Sequence, residues 1–394
     1  MRLLVTTNAR LYKGPDSLYY TSLVYGYDFF KRYLSVFEEV LLVAHVEKKE
    51  DVGGLLLVSG PHLSVYEVPF PRGKWNYFKA FGSIQRKVKH CADHCDAALF
   101  RVPDMLAFQI IPTIRKRHIP MAIEVTSDPL ELYASKSGRY LVRPFMKWSH
   151  YFALRRCCRK ADGVSYVTSH YLQKVYPSGI TPNSNRFESH YTSAGIKDHE
   201  NVERVFPKEG TINLIHVATS IAGKAKGHKE LIEAFVGLRK KGRDVQLTIV
   251  GGGKLDTDIM ELLEQSGEKS RVKFTGLVQK DELSRLFKES DIFVFPSYRE
   301  GLPRVVIEAM SWGLPCVTSD IPGCRELLNE SCLAPVKDST KLLAILDDML
   351  QDQTLLQRES EKNYKESEQY KSVVVDEVRS AFYTRLYEMS EKHS

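Results

Sequence analysis

Two acids eight positions apart, Glu300 and Glu308, stand in the stretch Ser290-Asp-Ile-Phe-Val-Phe-Pro-Ser-Tyr-Arg-Glu300-Gly-Leu-Pro-Arg-Val-Val-Ile-Glu308-Ala-Met-Ser-Trp-Gly-Leu-Pro-Cys-Val-Thr-Ser-Asp320. Its apolar runs read as two buried strands, Ile292 to Phe295 and Cys316 to Ser319, around a loop that carries Glu300 and Gly301 and a helix opened by Pro303. Proline suits the first helical turn because the N–H it lacks has no partner there in any case. The backbone N–H groups of Gly301, Leu302 and Arg304 then point at the carboxyl edge of the sheet, where the positive end of the helix attracts an anion such as phosphate. Glu300 on the loop is placed to accept hydrogen bonds from sugar hydroxyls, and Glu308, further along the helix, to take both hydroxyls of a ribose.

A second segment, Ile212-Asn-Leu-Ile-His-Val-Ala-Thr-Ser220-Ile-Ala-Gly-Lys-Ala-Lys226-Gly-His-Lys-Glu-Leu-Ile-Glu-Ala-Phe235, reads as a strand, a loop with two lysines and an amphipathic helix. Lys224 and Lys226 are candidate phosphate cations. Gly251-Gly-Gly253 and Gly276 follow two further strands, where glycine permits a positive φ or close backbone approach to a ligand. Asp256-Thr-Asp258 has the form of a metal-binding motif, but it begins a helix, so Asp256 reads as an N-cap.

The pair of acids at this spacing, with Phe-Pro-Ser before the first, Gly-x-Pro after it, Glu-Ala-Met at the second and Gly-x-Pro beyond, resembles the retaining, nucleotide-sugar-dependent glycosyltransferases of family 4, with their E-x7-E signature. The resemblance runs from about Asn213 to Leu328 and implies the GT-B arrangement, two Rossmann-like α/β domains with a central cleft. It implies a C-terminal domain that binds the nucleotide sugar, an N-terminal domain that binds the acceptor, and a last helix that crosses back to the first domain. Catalytic roles would fall to Glu300 and Lys226. Donor binding would involve Lys224, Ser220, Gly251, Gly276, Gly301, Leu302, Pro303, Arg304 and Glu308.

The chain departs from the family's pattern in three places. An Arg expected early in the phosphate loop falls near Ser220 or Ile221, and Lys224 is the candidate replacement, since an ammonium serves a phosphate as a point charge without the bidentate fork of Arg. The two glycines that many members carry after the first strand are absent from Thr7-Asn-Ala-Arg-Leu-Tyr-Lys-Gly14. No His ends the strand Ala122-Ile-Glu124-Val-Thr-Ser-Asp128, which leaves Glu124 and Asp128 as the polar candidates beside the sugar, with Asp128 equally readable as a helix cap before Pro129. The resemblance further implies retention of configuration, no metal and no cofactor. Other GT-B chemistries stay open, a sugar-nucleotide epimerase or a pyridoxal-dependent phosphorylase, as does a membrane-associated scaffold without activity.

The elements that must carry these residues alternate strand and helix throughout, the mark of parallel sheets in an α/β protein. Expected strands of the first half are Arg2 to Thr6, Glu39 to His45, Ala97 to Val102, Pro120 to Thr126 and Gly163 to Thr168; those of the second are Ile212 to Thr219, Val245 to Val250 and Val272 to Thr275 beside the two above. At 394 residues two domains fit best, 1–190 and 205–370, with a polar connection from Pro182 to about Lys208. A helix over about 373–394 carries the stripe Val373, Val374, Val378, Phe382 and Leu386, which must bury against one of the two domains; the pattern alone leaves either open, and it is the resemblance that implies packing back on the first.

A net charge of +7 is too small for a dedicated nucleic-acid binder, and no recognition motif accompanies it. The excess is local. Residues 136–160 hold eight Lys or Arg and no acid, interleaved with aromatics, and 72–89 is similarly basic. Both suit an anionic membrane surface, with solvated helix faces as the bland alternative. Seven cysteines in no zinc-binding spacing read as reduced thiols. With no signal peptide or spanning segment in evidence, the expectation is a cytoplasmic enzyme, peripheral at the inner face of the cell membrane. It would move a hexose or N-acetylhexosamine from a nucleotide sugar, UDP-linked or GDP-linked, to a glycan on a polyprenyl diphosphate, in capsule, O-antigen or exopolysaccharide assembly.

Overall fold

The computed structural model describes residues 1–7, 9–22, 25–69, 74–132, 143–181, 184–193, 195–199, 204–206 and 210–392. Arg72, Lys136 and Tyr140 of the basic stretches lie outside them, as do the side chains of Trp75, Tyr77, Phe78 and Phe81. The chain forms two units, Met1–Ser193 with Asp376–Ser394, and Ala194–Val375.

In the first unit the strands are β1 (Arg2–Thr6), β2 (Leu11–Lys13), β3 (Tyr19–Thr21), β4 (Glu39–Lys48), β5 (Leu56–Leu57), β6 (Leu63–Pro69), β7 (Ala97–Val102), β8 (Met121–Val125), β9 (Gly163–Tyr166) and β10 (Phe187–His190). They form one sheet in the order β10-β9-β8-β7-β1-β4-β2-β3-β5, with β6 paired to β4. Five of these strands were not expected. β2, β3 and β5 are an antiparallel extension of two or three residues per strand, too short to show alternation. β6 runs parallel to β4 from Val40↔Leu63 to Val46↔Pro69, and β10 lies inside the stretch read as a connection, an edge strand whose Glu188 and His190 disguise it.

The second unit holds β11 (Ile212–Ser220), β12 (Val245–Gly252), β13 (Val272–Gly276), β14 (Ile292–Phe295), β15 (Cys316–Ser319) and β16 (Leu333–Ala334). All pairs are parallel, in the order β13-β12-β11-β14-β15-β16. Parallel strands need a crossover, and a helix follows each of the first five. The core is near-continuous apolar on the strands, Leu214, Ile215, Leu247, Ile249, Phe293 and Val317 among them, as expected of a sheet covered on both faces.

The last helix, Ser372–Glu391, belongs to the first unit from Asp376 onward. Its buried line is not the expected stripe. Phe382 and Leu386 are buried together with Tyr383 and Val375, whereas Val373, Val374 and Val378 are exposed. The stripe holds from Phe382 onward; in the first half of the helix the buried line runs instead through Val375 and Arg379.

Candidate active site

Ligands of open parallel sheets bind outside the carboxyl ends of the strands, where successive connections leave in opposite directions. In the second unit that point lies between β11 and β14: from β11 the chain winds outward to β12 and β13, then returns to β14 and winds the other way. The loops that leave this point are Ile221–Gly227 and Pro296–Pro303, the two that carry Lys226 and Glu300.

The loops are zipped together. Tyr298 N donates to Ala225 O at 2.9 Å, Ser297 Oγ to Ala225 O at 3.3 Å, and Ser297 Oγ also to Glu300 Oε1 at 3.1 Å. Lys226 Nζ forms an ion pair with Glu300 Oε1 and lies 5.6 Å from the centre of the Phe295 ring. Tyr298 reaches Glu230 on the helix His228–Lys240, its hydroxyl 2.8 Å from each carboxylate oxygen. Gly227 makes the approach possible. It sits at φ +70°, and a Cβ there would stand 1.9 Å from the Pro296 carbonyl oxygen. Gly227→Ala is therefore expected to cost more than about 1 kcal/mol, from the left-handed conformation plus the clash, and to separate the two loops; a lowered melting temperature together with reduced nucleotide affinity is the result to measure.

Lys226, Glu300, Pro303, Arg304 and Glu308 line one cavity of about 380 Å³, over a floor of Val217, Ala218, Val250 and Phe295. Val278, Leu283, Arg304 and Glu308 are shared with an adjoining cavity of about 480 Å³, whose far wall is His199 stacked on Trp312 at 3.8 Å. Glu308 thus stands where the two cavities meet. Burial raises its pKa above the usual 4.5, against the opposing charges of Arg304 and Lys280. If its carboxylate binds a ribose, nucleotide affinity falls on acidification at a pH above the ordinary Glu value, and Glu308→Gln removes that limb of the profile; titration of nucleotide binding against pH checks it.

Other expected donor residues are placed differently. Lys224 and Ser220 are exposed, and Ser220 Oγ accepts from Ala222 N at 3.2 Å. Neither is among the residues lining these two cavities, nor are Gly251, Gly276, Gly301 and Leu302. Gly251 instead passes close to β11, where a Cβ would lie 2.4 Å from Ala218 O, and Gly276 turns at φ +72°. Gly301 supports its loop from below, its carbonyl against Gly323 where a Cβ would meet it at 1.8 Å. Pro303 corrects the expectation for the helix start: it is the N-cap, extended at φ −75° and ψ 101°, so the helix Arg304–Ser311 begins with the N–H groups of Arg304 and Val305. Asp256 does hold the N-cap position of Thr257–Gln265 but makes no side-chain cap; its Oδ1 accepts from Gly223 N at 3.2 Å and so steadies the lysine loop.

Glu124 and Asp128, read as neighbours of the sugar, are committed to the interior of the first unit. Glu124 is 3% exposed; its Oε2 pairs with Arg101 Nη1 at 2.7 Å, and its Oε1 accepts from Tyr191 and Tyr383 at 2.8 and 2.9 Å. Burial pushes its pKa up, but the Arg101 charge and the two phenols outweigh that and hold it below the usual 4.5. Asp128, also buried, accepts from Leu130 N at 2.7 Å, from Tyr171 at 2.7 Å and from Tyr176, the helix-cap reading with two phenols added.

Three residues of the second unit were missed. His216 on β11 is wholly buried under Phe295, its Nδ1 2.8 Å from Val294 O, with His228 edge-on at 4.9 Å. Burial lowers both pKa values, that of His216 to about 3, so both imidazoles are neutral and add no charge beneath Lys226. Arg204, in the polar stretch before β11, donates to the carbonyls of Phe287 and Trp312 at 2.7 Å and to that of Ser290. It ties together the carboxyl ends of the Lys280–Glu289 and Arg304–Ser311 helices, where a cation is electrostatically favoured. Nothing local in the sequence marks it. Among the described residues no group of three His, Cys, Asp or Glu is placed to share a metal ion, and none of the seven cysteines is in a disulfide.

With this geometry in view, residues 200–367 match the family model of glycosyl transferases group 1. The protein CapJ of Staphylococcus aureus is 25% identical over 358 residues, 88% of this chain and 86% of CapJ. Among solved structures, Anabaena HepE in complex with UDP and glucose superposes with a TM-score of 0.64 at 14% identity, over 97% of this chain and 98% of HepE. WaaG, a glycosyltransferase involved in lipopolysaccharide biosynthesis, does so at 0.62 and 16% identity, over 97% of this chain and 99% of WaaG. The chain has the GT-B fold of these glycosyltransferases.

Proposed function

We propose that this glycosyltransferase, an enzyme of the group 1 GT-B type, moves a hexose or N-acetylhexosamine from a UDP-sugar to a hydroxyl of a glycan acceptor with retention of configuration. One observation carries the reading: Lys226 and Glu300 face each other at the switch point of a parallel sheet and line one cavity with Glu308. A diphosphate fits beside Lys226 and the first N–H groups of the Arg304–Ser311 helix. Charge develops there as the bond to the anomeric carbon breaks, and fixed donors stabilise it without reorganising. Glu300 then exchanges its lysine for sugar hydroxyls, and Glu308 holds the ribose, so that the anomeric carbon is presented to the acceptor in one geometry. The departing phosphate takes the acceptor proton from the same face, which requires no enzyme base, no metal and no cofactor.

UDP is favoured as the nucleotide because the full-length structural neighbour HepE binds it with glucose. The acceptor is proposed to be a growing surface glycan on a polyprenyl diphosphate, in keeping with WaaG's part in lipopolysaccharide biosynthesis, and the enzyme to work at the anionic inner face of the cell membrane. No helix among the described residues is long and apolar enough to cross a membrane. The test is transfer from a panel of UDP- and GDP-sugars in the presence of a chelator, with the new linkage read by NMR. An α-linked product from an α-linked donor is expected; an inverted product or a strict manganese requirement overturns the mechanism, and donor conversion without acceptor indicates an epimerase.

A further inference from the structure

The helix Arg143–Cys158 of the first unit has its amphipathicity arranged unusually. At 100° per residue, the buried His150, Leu154, Cys157 and Cys158 fall on one arc. The opposite arc holds Phe145, Trp148, Ser149, Phe152 and Arg156, all exposed, and continues through Arg159 just beyond the helix. Three large aromatics therefore face water at 76%, 51% and 62% exposure. Trp148 and Phe152 stack on each other at 6.1 Å, with Lys147 Nζ 6.0 Å from the Trp148 ring. Single exposed apolar residues are ordinary; three on one arc of one helix make a patch that calls for a partner.

The charge around the patch selects that partner. From Phe145 to Lys160 the chain has five Lys or Arg and no acid. Arg156, Arg159 and Lys160 form no ion pair with a described carboxylate, and Lys160 and Arg115 line a cavity of about 260 Å³ at the carboxyl end of the helix. A protein partner that covered the aromatics would bring these cations out of water and need carboxylates opposite each. A bilayer takes the rings below the headgroups and leaves the cations among anionic phosphates, still hydrated.

We infer that Phe145, Trp148 and Phe152 insert into an anionic lipid surface, with Arg156, Arg159 and Lys160 at the level of its headgroup phosphates. The inference rests on the membrane-borne acceptor proposed above and names the face that reaches it. The test is co-sedimentation of the full chain with phosphatidylcholine vesicles, with and without phosphatidylglycerol. It compares wild type, the triple variant Phe145→Ser/Trp148→Ser/Phe152→Ser and the double variant Arg156→Gln/Arg159→Gln. Wild type is expected on the anionic vesicles only and to leave them at high salt. The arginine variant should bind about 30-fold more weakly, and the aromatic variant at least tenfold more weakly.

These side chains lie outside the donor cavities, so all three proteins keep the same melting temperature and the same nucleotide affinity. Vesicle binding that the triple variant retains overturns the inference, as does wild type that ignores anionic vesicles. Wild type that self-associates through the patch, with the triple variant monomeric, overturns it in favour of a second copy of the chain. Loss of vesicle binding with intact transfer to a water-soluble glycan confirms the face and leaves the enzymatic reading standing, whereas absence of transfer from any nucleotide sugar defeats that reading alone.

Discussion

Lys226→Ala lowers kcat by about 10²–10³-fold, the effect of removing one preorganised donor from a site where charge develops in the transition state. Lys226 is the cation lining the cavity from the loop after β11, and its position is set by Gly227, the Ala225 contacts and Glu300 rather than by chance orientation of a surface lysine. Nucleotide-sugar affinity falls less, by about 10- to 100-fold, as expected for a lost charge-assisted hydrogen bond. Because the pair with Glu300 is partly exposed, melting temperature changes little. Steady-state kinetics with the variant decide the matter. A kcat within a few-fold of wild type would mean that Lys226 serves only as partner to Glu300 and that another cation, Lys224 first among them, meets the diphosphate.

The second large effect is on stability and arises far from that chemistry. Glu124→Gln leaves the Arg101 guanidinium buried without a carboxylate, and breaking a buried pair in this way costs about 3–5 kcal/mol. In a unit of this size that corresponds to roughly 10 °C in the transition of the first unit. The folded pKa of Glu124 lies below its unfolded value, so the pair contributes stability above the unfolded value of 4.5 and loses it as pH falls through the folded one. The gap between wild type and variant is therefore full at neutral pH and closes in acid. Calorimetry at several pH values checks both parts, and an unchanged transition at pH 7 would show that the Arg101 charge is satisfied by other groups.

The same residue shows where sequence reasoning runs out. The resemblance to family 4 makes Glu124 a candidate sugar contact only as a polar residue near the strand end where that family carries a His, yet its partners are Arg101 on β7, Tyr191 after β10 and Tyr383 on the last helix, 259 residues away. No local pattern announces such a network. The second unit was more legible because its strands are buried on both faces and bounded by Gly and Pro, so every expected strand there was found within a residue or two of its ends. In the first unit β2, β3 and β5 escaped for lack of length, and the edge strand β10 for its polar composition.

At the site, Glu300, Glu308 and Lys226 were legible as types at a spacing, and the sheet order explains why that spacing converges: both loops leave from the same switch point. That Lys226 and Glu300 pair with each other was not legible, because a flexible ammonium and a loop carboxylate separated by 74 residues carry no shared pattern. Nor were His216 and Arg204, which act through burial and through the ends of helices formed much later in the chain.

The account stands on a nucleoside diphosphate seated between the loops after β11 and β14. The direct measurement is the melting temperature of wild type, Lys226→Ala and Glu308→Ala with UDP, GDP and ADP. A nucleotide at 100 times its dissociation constant stabilises the native state by about 2.7 kcal/mol, which for a unit of this size is about 5–10 °C. The account predicts such a shift for UDP with wild type and, at the same nucleotide concentration, a shift cut to about half or less in both variants, since an affinity about 10- to 100-fold weaker leaves about 1.4 to 0.4 kcal/mol. No shift with any nucleotide, or a shift that both variants keep in full, would contradict it.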